Sequence, residues 1–188
     1  MKKIAIFASG NGSNFQAIVD AVKQGKLRAE VSLLVCDKPG AFVIERANKE
    51  NIPAFVFNPK DYENKAQFES KILQELKEKD IDFIALAGYM RLVGPTLLNE
   101  YEGRIVNIHP SLLPAFPGKD AIGQCLRAGV KKTGVTIHYV DEGMDTGEVI
   151  VQQAIELSEN ETRESLEEKI HAIEHELYPK TLEKLLNN

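Results

Sequence analysis

Near its amino terminus the chain reads Lys3-Ile4-Ala5-Ile6-Phe7-Ala8-Ser9-Gly10-Asn11-Gly12-Ser13-Asn14. The length and β-branching of residues 3–8 predict a strand, and the two glycines after it allow positive φ values and the close approach of a ligand. Residues 14–24 then predict a helix that Gly25 ends, with an apolar face made by Phe15, Ile18, Val19 and Val22. A strand, a glycine-rich turn and a helix in this order are typical of the first unit of an α/β fold.

The alternation of short apolar runs with amphipathic segments continues beyond this unit. It predicts strands at residues 30–36, 54–57, 83–86 and 105–108, and helices at residues 42–51 and 64–79. This βαβ alternation is typical of an open, mostly parallel, Rossmann-like sheet with helices on both faces. Ligands in such folds bind at the carboxyl ends of the strands, so the residues that follow each strand are the first candidates for a site.

The second half of the chain follows a different pattern. After an irregular loop rich in proline we predict a helix at residues 121–128, strands at 134–139 and 148–154, an acidic turn at 140–147 between them, and a final helix at 163–186. Thr162 is the predicted N-cap of that helix, and Pro179 is expected to kink or divide it. No internal repeat or linker interrupts the pattern, so one domain over residues 1–188 is expected.

Composition and charge exclude several classes of protein. The 188 residues include 23 Lys and Arg against 28 Asp and Glu, a net charge of −5, which lacks the electrostatic footprint of a nucleic-acid-binding protein. Cys36 and Cys125 lie far apart and fit a reducing compartment better than a disulfide scaffold. The amino-terminal apolar stretch is too short for a secretory signal, and no segment predicts a membrane helix. We therefore expect a cytoplasmic protein without nucleic-acid or membrane partners.

The glycine-rich turn has the chemistry of an anion site. The free N–H groups and the positive dipole end of the following helix favour an anion, most naturally a phosphate, and Ser13 and Asn14 add side-chain donors. The turn matches neither common nucleotide fingerprint, because Phe15 stands at the third glycine position of the dinucleotide motif and no Gly-Lys-Ser/Thr follows. A tight strand–helix turn with an N-cap and no ligand is the alternative interpretation.

Asn107 and His109 form a second candidate site at the end of a predicted strand. The strand period of two puts both side chains on the same side, and Pro110 favours an extended His109. An amide can stabilise a developing oxyanion and an imidazole can move a proton, which suits acyl or one-carbon transfer. A strand end whose polar groups only satisfy the loop backbone is the alternative.

A carboxylate beside His109 would favour the protonated imidazole and hold its tautomer. Asp145, in the acidic turn, is the candidate, although composition does not rank it above Asp141 or Glu142, and a turn that faces solvent is the alternative.

Two further patterns, one typical of zinc peptidases and one of serine hydrolases, were considered and are not favoured. His171-Ala172-Ile173-Glu174-His175 matches the H-x-x-E-H pattern of inverted zinc peptidases. The short stretch after it leaves little room for a third ligand, so we expect no metal and a helix that is exposed or faces substrate. Ser111 lies close to His109, but no G-x-S-x-G elbow surrounds it, and a serine hydrolase is not expected.

Several segments, taken in order, carry a family resemblance. They are Gly10-Asn11-Gly12-Ser13-Asn14, Ala87-Gly88-Tyr89-Met90-Arg91, Asn107-Ile108-His109-Pro110-Ser111-Leu112-Leu113-Pro114, the acidic turn with Asp145, and Glu174-His175-Glu176-Leu177-Tyr178-Pro179. With them the sequence closely resembles the phosphoribosylglycinamide formyltransferases, a folate-dependent family of purine synthesis, over nearly the whole chain. The resemblance implies a cytoplasmic enzyme, monomer or homodimer, that transfers the formyl group of 10-formyltetrahydrofolate to glycinamide ribonucleotide without a metal.

The same resemblance implies the site residues. The catalytic residues would be Asn107, His109 and Asp145, and the acceptor would meet Gly12, Ser13, Asn14 and Glu174. The folate-binding residues would be Lys65, Met90, Arg91, Leu92, Val93, Asn107, Val140, Asp141, Glu142, Gly143 and Asp145. Residues 1–100 would form the phosphate- and nucleotide-binding half, and residues 101–188 the catalytic and folate-binding half. Lys65 stands where some relatives have arginine, and it keeps the charge without the bidentate fork.

Two alternatives to this function remain open. Methionyl-tRNA formyltransferase and formyltetrahydrofolate hydrolase, which are also folate-dependent formyl enzymes, carry an additional domain that 188 residues do not accommodate. A non-catalytic nucleotide-binding module could instead bind a ribose through Asp37, at the end of the second strand, but it would leave Asn107 and His109 without a role.

Overall fold

A computed structural model describes residues 1–188 and has a single seven-stranded sheet. The strands are β1 (Lys3–Ala8), β2 (Glu30–Cys36), β3 (Ala54–Val56), β4 (Phe83–Leu86), β5 (Ile105–His109), β6 (Lys132–Tyr139) and β7 (Val149–Glu156). They lie in the order β3-β2-β1-β4-β5-β6-β7, and the first five in that order are parallel. β6 and β7 are antiparallel additions at one edge. The predicted open, mostly parallel sheet is confirmed.

Six α-helices connect or follow the strands. They are α1 (Ser13–Lys23), α2 (Phe42–Lys49), α3 (Lys65–Glu78), α4 (Pro95–Glu100), α5 (Ala121–Ala128) and α6 (Arg163–Asn187). Every predicted strand and helix is present, with ends that differ from the prediction by at most two residues. Two elements were not predicted, α4 and a single 3-10 turn at Pro59–Asp61.

The core lies on both faces of the sheet because successive strand residues point to opposite sides. In β1, Ile4 and Ile6 pack on the face covered by α1, α2 and α6, whereas Ala5 and Phe7 pack on the face covered by α3 and α4. The central strands are therefore buried on both sides, as their uninterrupted apolar runs predict. No helix of the protein has both the length and the apolar character needed to cross a membrane.

Pro179 was predicted to kink or divide the last helix, and the division does not occur. α6 runs unbroken from Arg163 to Asn187 with Pro179 inside it. Proline removes one helix hydrogen bond at a cost of about 3 kcal/mol, but Tyr178 and Leu182 beside it are fully buried against the sheet. Burial of such side chains stabilises by roughly 1.5–3 kcal/mol each, enough to offset that loss. The Tyr178 hydroxyl also donates to the Leu86 carbonyl oxygen at 2.7 Å, which ties α6 to the end of β4.

Candidate active site

One large cavity lies at the carboxyl ends of the parallel strands. Its volume is about 1190 Å³, more than a pocket for a single drug-sized ligand needs. Its lining comes from the glycine turn after β1, from α6, from the β4–α4 loop (residues 87–94) and from the β6–β7 turn (residues 140–148). Asn107 and His109, at the end of β5, line the cavity as well.

The glycine turn presents its backbone to this cavity. Gly12 adopts a φ of 80° at the N-cap of α1, and no side chain caps the helix, so side chains leave its first N–H groups free. A Cβ at position 12 would collide with the side chain of Val43, so both the backbone conformation and the packing require glycine. Helix α2 holds the turn from behind, because Val43 N donates to Gly10 O and the Arg46 guanidinium donates twice to Asn11.

Glu174 of α6 faces the same turn and is almost completely buried. Its Oε1 accepts a hydrogen bond from Asn14 Nδ2 at 3.4 Å, and its exposed fraction is 5%. Burial raises the pKa of this carboxyl group from its ordinary value to about 7, although the Asn14 hydrogen bond opposes the shift. The Oδ1 atom of Asn14 is buried and has no hydrogen-bond partner.

The H-x-x-E-H side chains do not form a metal cluster. The rings of His171 and His175 stack with centroids 5.9 Å apart, while Glu174 turns to Asn14. The structure brings no three His, Cys, Asp or Glu side chains together in a way that could hold a metal ion.

Asn107 is oriented by a residue that the sequence reading missed, His138. The antiparallel pairing of β5 with β6 sets the two residues opposite each other. His138 Nδ1 lies 2.8 Å from the carbonyl oxygen of Tyr139, an acceptor, so Nδ1 carries the proton and Nε2 accepts. Asn107 Nδ2 lies 3.2 Å from that Nε2 and donates to it. This contact fixes the orientation of the amide of Asn107, which lines the cavity.

His109 lies between two oxygen acceptors. Its Nε2 is 2.9 Å from the Phe116 carbonyl oxygen, and its Nδ1 is 3.6 Å from Asp145 Oδ2. The Phe116 carbonyl oxygen can only accept, so Nε2 carries a proton and donates to it. At 3.6 Å the contact with Asp145 is longer than a direct hydrogen bond, and it becomes an ion pair when the ring is protonated.

Asp145 is the acid of the β6–β7 turn that lies beside His109. Its Oδ2 accepts a hydrogen bond from Gly118 N at 2.8 Å, and its Oδ1 is 3.7 Å from His138 Nε2. Asp141 is used within the turn, where the Thr146 hydroxyl and Gly143 N donate to it, and the Thr146 bond holds its pKa below the ordinary value. Glu142 is exposed. The structure thus separates three acids that composition left unranked.

The β4–α4 loop presents exposed apolar side chains to the cavity. Met90 is 67% exposed and Leu92 43% exposed, and both line the cavity. Two charged side chains hold the loop: Arg91 Nε donates to Asp37 Oδ2 at 2.8 Å, and Lys65 Nζ donates to the Leu92 carbonyl oxygen at 2.7 Å. An apolar platform with a fixed backbone suits a flat, ring-containing ligand.

Most of the predicted site residues line this one cavity. The exceptions are Lys65, whose ammonium contacts the loop backbone, and Glu142. Asp37 is not free to bind a ribose as the nucleotide-module alternative requires, because Ser9 and Arg91 donate to its two oxygens. Ser111 is fully buried and donates to the Ala115 carbonyl oxygen, so its role is structural.

A family model described as formyl transferase matches residues 2–182. The phosphoribosylglycinamide formyltransferase of Bacillus subtilis (strain 168) is 60% identical over 186 residues, which cover 99% of this chain and 95% of that protein.

Two solved structures are also similar over the full length. Glycinamide ribonucleotide transformylase 1 from Geobacillus kaustophilus matches with a TM-score of 0.97 and 70% identity, covering 100% of both chains. Phosphoribosylglycinamide formyltransferase from Bacillus halodurans matches with a TM-score of 0.97 and 61% identity, covering 100% of this chain and 96% of that one.

Proposed function

The chain belongs to the formyl transferase family, and from that premise we propose that it transfers the formyl group of 10-formyltetrahydrofolate to the amine of glycinamide ribonucleotide in purine biosynthesis. The observation that carries the proposal is that a phosphate-type glycine turn and the Asn107–His109–Asp145 cluster line the same cavity. One ligand at each end would bring an amine and a formyl group together over the cluster.

The acceptor binds at the glycine-turn end. Its phosphate meets the backbone N–H groups of Gly12, Ser13 and Asn14, where the helix dipole favours negative charge although the whole protein carries a net charge of −5. Glu174, fixed by Asn14, meets the ribose hydroxyls. This arrangement directs the amine of the acceptor toward His109.

The donor binds at the other end of the cavity. Its pterin lies against the β6–β7 turn at Val140, Asp141, Gly143 and Asp145, and the rest of the molecule follows Met90, Arg91, Leu92 and Val93. Glu142, at the exposed tip of that turn, and Lys65, through its contact with Leu92, act at the edge of this site. Residues 1–100 supply the phosphate turn and residues 101–188 the chemistry, while both halves contribute to the donor site.

The reaction is a direct transfer. The amine nitrogen attacks the formyl carbon, and the resulting tetrahedral oxyanion accepts a hydrogen bond from Asn107, which His138 orients. Protonated His109, supported by Asp145, stabilises that oxyanion or supplies a proton. The bond from the formyl carbon to the folate nitrogen then breaks, and the proton lost by the amine reaches that nitrogen. The products are the formylated ribonucleotide and tetrahydrofolate.

A spectroscopic assay with purified protein and both substrates tests the proposal. We expect the absorbance change of tetrahydrofolate formation only when glycinamide ribonucleotide is present. No change with both substrates would refute the assigned activity. An equal change without the acceptor, accompanied by free formate, would instead identify a hydrolase.

A further inference from the structure

We propose that Asp37 is a positioning residue for the donor and that it acts by fixing the β4–α4 loop through Ser9 and Arg91. The inference rests on the proposed function, because it concerns the affinity for the folate donor. Asp37 directly follows β2, and Ser9 directly follows β1, so both stand at the carboxyl end of the sheet next to the loop that follows β4.

Both oxygens of the Asp37 carboxylate are used. Oδ1 accepts a hydrogen bond from Ser9 Oγ at 2.5 Å, and Oδ2 accepts one from Arg91 Nε at 2.8 Å. Ser9 is in turn hydrogen-bonded to the loop. Its Oγ accepts from Met90 N at 2.9 Å, and its backbone N donates to Gly88 O at 3.0 Å. The carboxylate therefore reaches the loop by two routes, one through a hydroxyl and one through a guanidinium.

The opposite end of the loop has its own anchor. Glu69 of α3 is buried and accepts a hydrogen bond from Gly94 N at 2.8 Å, and Lys65 holds the Leu92 carbonyl oxygen. Between the two anchors the loop has neither helix nor strand structure to define it. Its conformation, and hence the placement of Met90 and Leu92 over the cavity, depends on these side-chain contacts.

The charge of Asp37 has no other evident use. Its side chain is only 6% exposed, and an unpaired buried carboxylate would be costly and would repel an anionic ligand. Arg91 Nε pairs with it at 2.8 Å, while the rest of the Arg91 side chain stays 40% exposed. Charge-assisted hydrogen bonds of this kind are the stronger ones in proteins, so removing them should loosen the loop.

Steady-state kinetics of three variants test the inference. For Asp37→Ala we expect the KM for 10-formyltetrahydrofolate to rise about tenfold, with the KM for glycinamide ribonucleotide unchanged, because the loop contacts only the donor. Asp37→Asn, which keeps one acceptor, should raise the donor KM less. Asp82→Asn is the matched control: its carboxylate also links two strands, through Lys3 N at 2.8 Å, but precedes β4 at the far end of the sheet.

The separation of the two KM values decides the outcome. If Asp37→Ala is active and its donor KM is unchanged, the inference is overturned. It is also overturned if both KM values rise equally, thermal stability falls, and Asp82→Asn shows the same changes. If Asp37→Ala does not fold, the same criteria apply to Asp37→Asn and to Ser9→Ala, for which a smaller, donor-specific rise is expected. Failure of the wild-type protein to transfer formyl groups would refute the proposed function and is distinct from these results.

Discussion

Two turns bound the cavity, and they meet a ligand by different means. The glycine turn after β1 offers backbone N–H groups, and its shape depends on one glycine packed against Val43. The β6–β7 turn offers a side chain, that of Asp145. Its partners lie outside the turn: Gly118 N donates to it, and His109 at the end of β5 lies 3.6 Å away.

The difference predicts how each turn responds to substitution. A site made of backbone groups tolerates substitutions except where the new side chain has no room. A substitution that distorts such a site should weaken ligand binding. A cluster of side chains that acts on the reacting atoms should fail in the chemical step instead. The two turns can therefore be distinguished by whether a substitution changes KM or kcat.

The largest effect is expected in the side-chain cluster, at His109. Replacing it with alanine removes the group that handles the proton, and kcat should fall by roughly 10²–10⁴-fold. The KM for glycinamide ribonucleotide should change little, because the glycine turn is intact. His175→Ala is the control, since His175 lies on α6 outside the cavity lining. A His109→Ala enzyme with near-wild-type turnover would remove His109 from the mechanism.

A smaller effect, on KM instead of kcat, is expected for substitution of Gly12. Alanine there faces both an unfavourable positive φ and a collision with Val43, so the turn must move. The KM for glycinamide ribonucleotide should rise by roughly 10–10²-fold while kcat changes much less.

Gly25→Ala is the matched control for this substitution. Gly25 follows the other end of α1 with a φ of +75°, and no atom lies near the position that an alanine Cβ would take, so the substitution adds strain without a collision. It should lower stability and leave both KM values unchanged. A Gly12→Ala enzyme that loses kcat and keeps its KM would contradict the comparison of the two turns.

The next effect is expected at His138. In His138→Phe the Nε2 acceptor is lost and Asn107 is free to rotate, so kcat should fall about tenfold. His138→Gln, which can offer an acceptor oxygen, should recover part of the rate. If the phenylalanine variant keeps its full turnover, Asn107 does not need His138 to hold its amide.

The same two turns show what could be predicted from sequence. The glycine turn is a local pattern, and strand and helix periodicities are local as well, so these predictions were close to the structure. α4 was missed because six residues from Pro95 to Glu100 are too few to show a periodicity. His138 was missed because only the pairing of β5 with β6 brings it to Asn107, across 31 positions of sequence.

The ranking of Asp145 above Asp141 likewise needed the fold, because both acids lie in one turn with similar neighbours in sequence. The contact between Asp37 and Arg91 also could not be predicted from the sequence. Its position after β2 was visible in the sequence, but its partner Arg91 follows a strand that is not adjacent to β2 in the sheet. Strand order is set by packing between distant segments, and one sequence does not display it.

The smallest effect on rate is expected at Glu174, which faces the glycine turn from α6. Burial raises its pKa to about 7, so near neutral pH a large share of this group is a neutral acid, and glutamine resembles that form. Glu174→Gln should therefore transfer formyl groups at close to the wild-type rate at pH 6. Its main effect should be on the pH dependence of stability.

The sign of that effect follows from proton linkage. An acid whose pKa is higher in the folded than in the unfolded state binds more protons when folded, so the wild-type protein loses stability as pH rises from about 4.5 through about 7. Glu174→Gln lacks this loss. Thermal unfolding of both proteins should give similar midpoints near pH 4.5, and the variant should become the more stable as pH rises to 8. If the difference between the two unfolding midpoints does not change with pH across that range, Glu174 is already charged when buried. Its negative charge would then lie beside the glycine turn, where the positive end of the helix dipole also acts.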